Sequence, residues 1–421
     1  MERRKDRILL CLCHLSGKEQ IFVQEAFDTN WVVPLGPNVN GFEKDLEEFV
    51  GQNKRVVALS AGTAAVHLSL LKCGVGPGDE VLVQSFTFCA SSHPITYLGA
   101  TPVFIDSERD TWNMDPDLLE KAINDRIAKM GKKPKAIVPV ALYGMPYKID
   151  KIMEIANRFD IPIVEDAAEG FGSKFKGQVL GTFGKYGVLS FNGNKMITTS
   201  GGGALITEND SEWREIMMYA TQYRESYPYY QHEKIGYNYR MSNICAGIGR
   251  GQMTIVDEHI AHHKKVQKMY EELLANVKGI HVHTQPATGE YDSNFWLCTM
   301  TIDPDVKVKG QENAYKQVIT GAVGGAAGVI HAAESAVTDC QPNDNVEAMR
   351  LGLDALNIES RPLWKPMHKQ PVYKNAPAYV NGVSEELFKV GMCLPAGPYV
   401  TEDDVRFICE AIKDLIEGEP F

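Results

Sequence analysis

The amino-acid sequence predicts an α/β fold in which a mainly parallel β-sheet is covered by helices on both faces. Short apolar runs rich in β-branched residues alternate with helical segments between Val56 and Glu165, as is typical of parallel strands buried on both sides. The 421 residues, 44% hydrophobic and 23% charged, suffice for two soluble domains. Ligands of such sheets bind at the carboxyl ends of the strands, so the residues that follow the strands are the first candidates for a functional site.

The elements of this sheet follow in chain order from the apolar runs and from the residues that begin or end helices. Strands are predicted at 56–59, 81–84, 101–106, 136–142, 161–165, 188–191 and 204–206. Helices are predicted at 60–74, 90–98, 115–127, 149–159 and 210–223. Before the first strand, an amphipathic helix is predicted from about Gly41, and residues 34–38 are predicted to form a surface loop because they are rich in Pro and Gly.

The second half of the chain predicts a smaller α+β domain. Helical periodicity from 241 to about 277 indicates a long helical stretch that connects the two domains. Strands are predicted at 280–283 and 295–302, and a last helix spans 401 to about 416.

These elements predict three segments. Residues 1–40 form an N-terminal segment that lines a pocket, residues 41–256 a large domain and residues 257–421 a small C-terminal domain. Small residues dominate the stretch at 309–345, where a packed helix and a mobile insertion both remain open.

Composition excludes several classes of protein. The formal net charge of -11 disfavours a nucleic-acid-binding protein, because such binding depends on basic residues that neutralise phosphates. The apolar run from Ile8 to Cys13 is shorter than an export signal requires, and no membrane span is predicted. The nine scattered cysteines suit free thiols in a reducing compartment, so we expect a cytoplasmic protein.

Two groups of histidines have spacings that metal sites use. His259, His262 and His263 share a predicted helix, and His281 and His283 would share one face of a strand. No carboxylate or cysteine pattern completes either group, so we interpret them as solvated histidines and predict no metal site.

A phosphate site is predicted where the first strand passes into the first helix of the sheet. Gly62 and Thr63 begin that helix, and backbone N–H groups at a helix N-terminus attract anions. An ordinary helix cap at Ser60 or Thr63 explains the same residues equally well.

Two further strand ends carry an aromatic ring and a carboxylate. Phe86 and Phe88 follow the second strand, although core packing is the commoner role for such rings. Asp166 follows the strand at 161–165, where a carboxylate at the sheet edge indicates a functional charge. A helix cap or turn remains the alternative for Asp166.

Lys195 lies in the turn between the last two strands of the sheet. Asn192, Gly193 and Asn194 tolerate the backbone of a tight turn, and the glycines at 201–203 let the chain approach another group closely. A lysine after an Asn-Gly turn is usually solvated. A lysine that reacts with a carbonyl cofactor must instead have a lowered pKa, and the other strand ends favour that interpretation. Pyridoxal phosphate requires a phosphate site, a stacking ring and a carboxylate beside its pyridine nitrogen.

Six ordered motifs resemble those of the pyridoxal-phosphate-dependent nucleotide-sugar aminotransferases of the DegT/StrS family. The resemblance runs from about Ser16 to the C-terminus and is interrupted chiefly at 309–345. The motifs are S-A-G-T-A-A at Gly62, T-F-C-A-S at Phe88, E-D-A-A-E-G-F-G at Asp166, S-F-N-G-N-K with G-G-G at Lys195, G-Y-N-Y-R at Asn238 and E-S-R-P-L-W-K-P-M-H at His368.

The resemblance implies the aspartate-aminotransferase-type fold (fold type I), with pyridoxal 5'-phosphate bound at a homodimer interface. It implies that Lys195 binds the cofactor covalently and is the catalytic residue, that Asp166 pairs with the pyridine nitrogen and that Phe88 stacks on the ring. Glu169 departs from the pattern, because many relatives place Gln or His beside the phenolic oxygen, and a carboxylate there leaves the protonation state open.

The remaining implied ligands surround the cofactor phosphate and the substrate. Gly62, Thr63 and Ser190 match the phosphate site, and Asn238 matches a residue that reaches the phosphate from the neighbouring subunit. The implied candidates for the nucleotide diphosphate are Arg361, Lys365 and His368, although packing between prolines explains them nearly as well.

The N-G-N-K form of the lysine motif is similar to the subgroup that aminates C4 of UDP-linked 4-keto-6-deoxy-N-acetylhexosamines. This implies transfer of an amino group from L-glutamate, for a bacterial glycan or capsule. A sugar 3-dehydratase of the same fold is a rival, but that branch has His at the position of Lys195. A regulatory protein that keeps the pocket without turnover is the rival from another class.

Overall fold

The computed structural model describes residues 1–315 and 340–416. The helices are α1 Glu19–Asp28, α2 Pro37–Val50, α3 Gly62–Lys72, α4 His93–Tyr97, α5 Pro116–Met130, α6 Ile149–Phe159, α7 Asp210–Ala220, α8 Asn243–Met253, α9 Val256–Leu274, α10 Asp344–Ala355, α11 Val383–Val390 and α12 Glu402–Leu415. The strands are β1 Arg55–Leu59, β2 Glu80–Gln84, β3 Thr101–Ile105, β4 Ala136–Val138, β5 Val164–Asp166, β6 Lys174–Phe175, β7 Gln178–Val179, β8 Tyr186–Ser190, β9 Gly203–Thr207, β10 Ile280–Val282, β11 Tyr291–Asp292, β12 Cys298–Ile302, β13 Arg361–Pro362, β14 Ala378–Tyr379 and β15 Gly391–Leu394. None of the described helices combines the length and apolar content needed to cross a bilayer.

A mainly parallel sheet forms the centre of the larger part of the chain, as predicted. One half has the order β1-β9-β8-β5 and the other the order β14-β3-β2-β4. Parallel bridges from Ile137 to Ile163 and from Val140 to Asp166 join the two halves through β4 and β5. Only β9 runs antiparallel to its neighbours, β1 and β8.

The strand directions bring the predicted functional residues to one edge. Strands β2, β4, β5 and β8 run in the same direction, and β1 shares that direction because both β1 and β8 are antiparallel to β9. The carboxyl ends of β1, β2, β5 and β8 therefore open at a common edge of the sheet.

A second core lies under an antiparallel sheet with the order β10-β12-β15-β13. Helices α9, α10 and α12 contribute to this core, and Ile8 from the N-terminal segment joins it. Strand β14, although late in the chain, pairs with β3 of the large sheet. The proposed boundaries at residues 40 and 256 stay a prediction. Most of the stretch at 309–345 lies outside the described residues, which resume at Cys340.

The helical stretch predicted over 241–277 consists of two helices, α8 and α9. Ser242 caps α8, and the N–H groups of Thr254 and Ile255 bond to the carbonyls of Gly251 and Gln252, three residues back, which ends α8 before α9 begins. Apolar periodicity continues across the break, so the pattern alone does not reveal it.

The surface loop predicted at 34–38 is wrong at its end, because α2 begins at Pro37. Proline suits the first position of a helix, where its missing N–H leaves no bond unmade. Asn243 Oδ1 accepts the N–H groups of Asn38 and Val39 and so caps α2 from a distant helix.

The interpretation of His259 and His263 as solvated residues is also wrong. His259 is 3% exposed and its Nδ1 lies 3.1 Å from the Met196 carbonyl oxygen. His263 is fully buried with Nδ1 3.2 Å from the Phe295 carbonyl oxygen, and burial lowers the pKa of His263 to about 3. Both are neutral packing residues of α9.

Candidate active site

The N-terminus of α3 lies against the end of β8. Ala61, the residue before the helix, has extended backbone and gives no side-chain cap. A Cβ atom on Gly62 would lie 3.1 Å from the Cβ of Ser190, so glycine permits this close approach. The arrangement places a helix N-terminus beside the Ser190 hydroxyl, where a phosphate group could be bound by both.

Asp166 ends β5 and is 4% exposed. Its Oδ2 accepts a 2.6 Å hydrogen bond from the Ser91 hydroxyl, and its Oδ1 accepts one from the Ala168 N–H at 3.1 Å. Burial raises the pKa of Asp166, against the lowering effects of these bonds and of the Lys195 charge. The carboxylate would therefore gain from a further positive charge at this edge.

The two phenylalanines after β2 have different environments. Phe86 is fully buried in the core, whereas Phe88 is 49% exposed. The Phe88 ring lies 5.3 Å from the Trp364 ring with the planes tilted by 53°. Only Phe88 therefore offers a ring face at the edge of the sheet.

Lys195 is enclosed rather than solvated. Its backbone N–H bonds to the Asn192 carbonyl at 3.0 Å, which closes the turn between β8 and β9. Its side chain is 14% exposed, and Nζ lies 3.5 Å from Oε1 of Glu169. The turn thus directs the amine toward the residues that follow β5.

Glu169 is the anionic partner of Lys195 and is 5% exposed. Its Oε2 accepts a 2.7 Å hydrogen bond from the N–H of Tyr143, a residue with a left-handed backbone φ of 53°. Burial raises the pKa of Glu169, and the Lys195 charge opposes that rise. The carboxyl group can therefore hold a proton when Lys195 is not charged beside it.

Trp296 is a site residue that sequence reasoning missed. Its ring centroid lies 4.0 Å from Lys195 Nζ, and its Nε1 donates a 2.6 Å hydrogen bond to the Asn194 carbonyl. The residue stands just before β12, outside the motifs, and no local pattern connects it to the lysine turn.

The candidate substrate residues have different partners. Arg361 forms an ion pair with Glu359 at 2.8 Å. His368 Nδ1 lies 2.6 Å from the hydroxyl of Ser85, the residue that follows β2, and burial lowers the pKa of His368. Lys365 is partly exposed, and its carbonyl accepts a bond from Gln370 at 3.5 Å.

Within residues 1–315 and 340–416, no hydrogen bond or ion pair joins Asn238 to the other candidate residues. Its backbone pairs with Thr221 in an isolated antiparallel bridge, and the residue is exposed. Its predicted role across a subunit interface stays a prediction.

The sheet edge thus combines a helix N-terminus beside a serine hydroxyl, an exposed ring face, a buried carboxylate and an enclosed amine. This donor set suits a planar phosphorylated aldehyde with a basic ring nitrogen, which is the chemistry of pyridoxal phosphate.

Comparisons with known proteins give a consistent result. The family described as the DegT/DnrJ/EryC1/StrS aminotransferase family matches residues 14–323 and 311–413. EpsN of Bacillus subtilis, named as a pyridoxal phosphate-dependent aminotransferase, is 41% identical over 97% of this chain and 96% of its own. GDP-perosamine synthase of Caulobacter vibrioides is 34% identical over 97% of this chain and 98% of its own. Among solved structures, a DegT DnrJ EryC1 StrS aminotransferase from Brucella abortus has a TM-score of 0.80 and 27% identity, covering 94% of this chain and 95% of its own.

Proposed function

Because the chain belongs to the DegT/DnrJ/EryC1/StrS aminotransferase family, we propose that it transfers an amino group from L-glutamate to C4 of a UDP-linked 4-keto-6-deoxy-N-acetylhexosamine. The family makes the chain a sugar aminotransferase that uses pyridoxal phosphate. The enclosed pair of Lys195 and Glu169 beside Asp166 is the observation that supports the proposed reaction. The N-G-N-K motif supports the proposed sugar.

The residues at the sheet edge fit the cofactor. Pyridoxal phosphate supplies, when bound, an aldehyde that takes up the amino group and a ring that withdraws electrons. We assign the ring nitrogen to Asp166, because burial raises the pKa of this carboxyl group and a positive charge beside it would stabilise the ionised form. The N–H groups of Gly62 and Thr63 and the Ser190 hydroxyl would hold the phosphate, and Phe88 would cover one face of the ring.

Lys195 would act as nucleophile and proton carrier. Its amine reacts with a carbonyl only in the unprotonated form. In its free form, Nζ would take the proton from Cα of glutamate and return it to the carbon of the cofactor's aldehyde group. A positioned proton relay is typically worth about 10² to 10⁴ in rate.

Glu169 would hold a proton for the phenolic oxygen of the cofactor. When the charge of Lys195 is lost, burial favours the protonated acid. The Tyr143 N–H keeps one carboxyl oxygen in place, so the other can donate. This removes the repulsion that a carboxylate would have at that position.

A GDP-linked keto sugar is the second candidate substrate. The similarity to GDP-perosamine synthase favours it, because that relative is named for a GDP-linked product and matches nearly the whole chain. The two candidates differ in base and in sugar, so a panel of nucleotide sugars separates them.

The assembly we propose is a homodimer in which Asn238 reaches the neighbouring site. The segment before it exposes large side chains, with Tyr229 71% and Ile235 86% exposed, which is typical of a surface that another chain covers. We place the activity in the cytoplasm, because buried thiols such as Cys298 and Cys409 suit a reducing compartment. The product would serve a bacterial glycan or capsule.

The test uses purified protein, L-glutamate and a panel of UDP-, GDP- and dTDP-linked keto sugars, with products analysed by mass spectrometry and NMR. We expect a UDP-linked 4-keto sugar to gain nitrogen at C4, and loss of water instead would indicate a dehydratase. An imine absorbance without any reaction with glutamate would support the regulatory alternative. Lys195→Arg should keep the fold and abolish turnover, because a guanidinium cannot act as nucleophile; normal activity of this variant would refute the assignment.

A further inference from the structure

We propose that Trp296 is a positioning residue for Lys195, which it holds in two ways. Its indole face binds the Lys195 ammonium, and its N–H fixes the peptide that precedes the lysine. This inference rests on the proposed function in one respect only, that Lys195 is the reacting amine.

The first contact is a buried cation–π interaction. Lys195 Nζ lies 4.0 Å from the centroid of the Trp296 ring. Trp296 is 1% exposed and the lysine side chain 14% exposed, so little water screens the attraction. Such contacts are strongest with tryptophan and when desolvated. The ring therefore stabilises the charged form of Lys195.

The second contact fixes the backbone of the turn. Trp296 Nε1 donates a 2.6 Å hydrogen bond to the carbonyl oxygen of Asn194, the residue that precedes Lys195. The Lys195 N–H bonds to Asn192 within the same turn. The orientation of the peptide between Asn194 and Lys195 is therefore set from outside the turn, and the direction of the lysine side chain with it.

Trp296 itself is held by a residue that also fixes Glu169. The backbone N–H of Trp296 donates to Asn294 Oδ1 at 2.8 Å. Asn294 Nδ2 donates to the carbonyl oxygens of Glu169 and Phe171, both at 2.9 Å. A short segment before β12 thus sets the distance between the amine and its carboxylate.

The ring differs from the other groups around the amine. Glu169 and Asp166 can accept the proton of Lys195, whereas an aromatic face cannot. Cys11 stays a neutral thiol, because burial raises its pKa to about 12 although the Lys195 charge opposes the rise. Trp296 therefore holds the ammonium without removing its proton, which is what a lysine that carries a proton between two carbons requires.

The experiment measures the pKa of the Lys195 amine in the full chain freed of cofactor. An amine-reactive reagent is applied across pH 7 to 11, and labelling at Lys195 is quantified by peptide mass spectrometry, with the 75% exposed Lys268 as internal reference.

Trp296→Leu removes the ring and the donor, whereas Trp296→Phe keeps a ring face and removes only the donor. We expect Trp296→Leu to label about 2-fold to 30-fold faster below the pKa, as the loss of a cation–π contact requires. Trp296→Phe should label at a rate between those of wild type and Trp296→Leu, because it keeps a ring face but loses the bond to Asn194.

Trp213 offers the matched control. Its Nε1 also donates to a backbone carbonyl, that of Val56 at 3.0 Å, and its ring also binds a cation, Arg55 at 4.7 Å. Trp213→Leu should leave Lys195 labelling unchanged. Trp296→Met is a second ringless variant should Trp296→Leu fail to fold.

Unchanged Lys195 labelling in a folded ringless variant, or an equal change in Trp213→Leu, would overturn the role of Trp296. The labelling needs no turnover, so its outcome is independent of whether the wild type reacts with glutamate. Failure of the glutamate reaction in wild type would instead overturn the proposed function.

Discussion

Neutralising the two adjacent carboxylates on β5 should have different effects. Glu165→Gln should stabilise the fold, whereas Asp166→Asn should lower turnover. Successive side chains of a strand point to opposite faces, so Glu165 points away from Asp166. Glu165 is fully buried, and its Oε2 accepts N–H groups of Phe183 at 3.1 Å and Gly184 at 3.4 Å. Its Oε1 has no partner among the described residues. Burial raises the pKa of Glu165 from 4.5 to about 7, against these hydrogen bonds.

The magnitude follows from the two pKa values. An acid whose pKa is higher in the folded chain binds its proton more tightly there. The contribution of Glu165 to the free energy of unfolding is therefore largest below pH 4.5 and falls as the pH rises to about 7. At about 1.4 kcal/mol for each pH unit, the ionised carboxylate costs about 3 kcal/mol above pH 7. Glu165→Gln removes this cost, because an amide does not ionise.

The assay is thermal unfolding of wild type and Glu165→Gln at pH 5 and pH 8. We expect the Tm of the variant to exceed that of wild type by several degrees at pH 8 and by little at pH 5. Activity should be retained, since Glu165 does not face the lysine. Equal Tm differences at both pH values would refute the claim that an ionised, poorly compensated carboxylate is buried on β5.

The other predictions concern the cofactor site. Asp166→Asn should keep the fold but lower turnover at least 10²-fold, because a neutral amide cannot hold the ring nitrogen protonated; pre-steady-state absorbance with glutamate measures it, and near-normal rates would contradict the assignment. Gly62→Ala should weaken cofactor retention, because its Cβ would lie 3.1 Å from that of Ser190, and equilibrium dialysis measures the affinity. Gly76→Ala is its control, since nothing lies within 4 Å of that Cβ, and an equal loss in both variants would exclude a phosphate site at Gly62.

Local patterns were sufficient for the parts of the fold that depend on neighbours in sequence. The strands around Asp166 and Lys195 follow from short apolar runs, and the rule that parallel strands open at one edge brings their ends together. The break between α8 and α9 and the start of α2 at Pro37 depend on hydrogen bonds within a turn and from the distant Asn243. Burial of His259 depends on packing against Met196. None of these contacts leaves a periodic signal in the sequence.

The same distinction explains why the lysine was found and its tryptophan was not. Lys195 occupies a turn between β8 and β9, where the sheet changes from parallel to antiparallel pairing, so local turn residues mark it. The connection between the two strands, residues 191–202, begins and ends at the carboxyl edge of β8, and it brings the amine close to Glu169. Trp296 comes from a segment 102 residues after the carbonyl it binds. The turn after β8 determines which residue enters the site, and the distant indole fixes the position of its amine. The reactive geometry therefore requires both parts of the chain to be folded together.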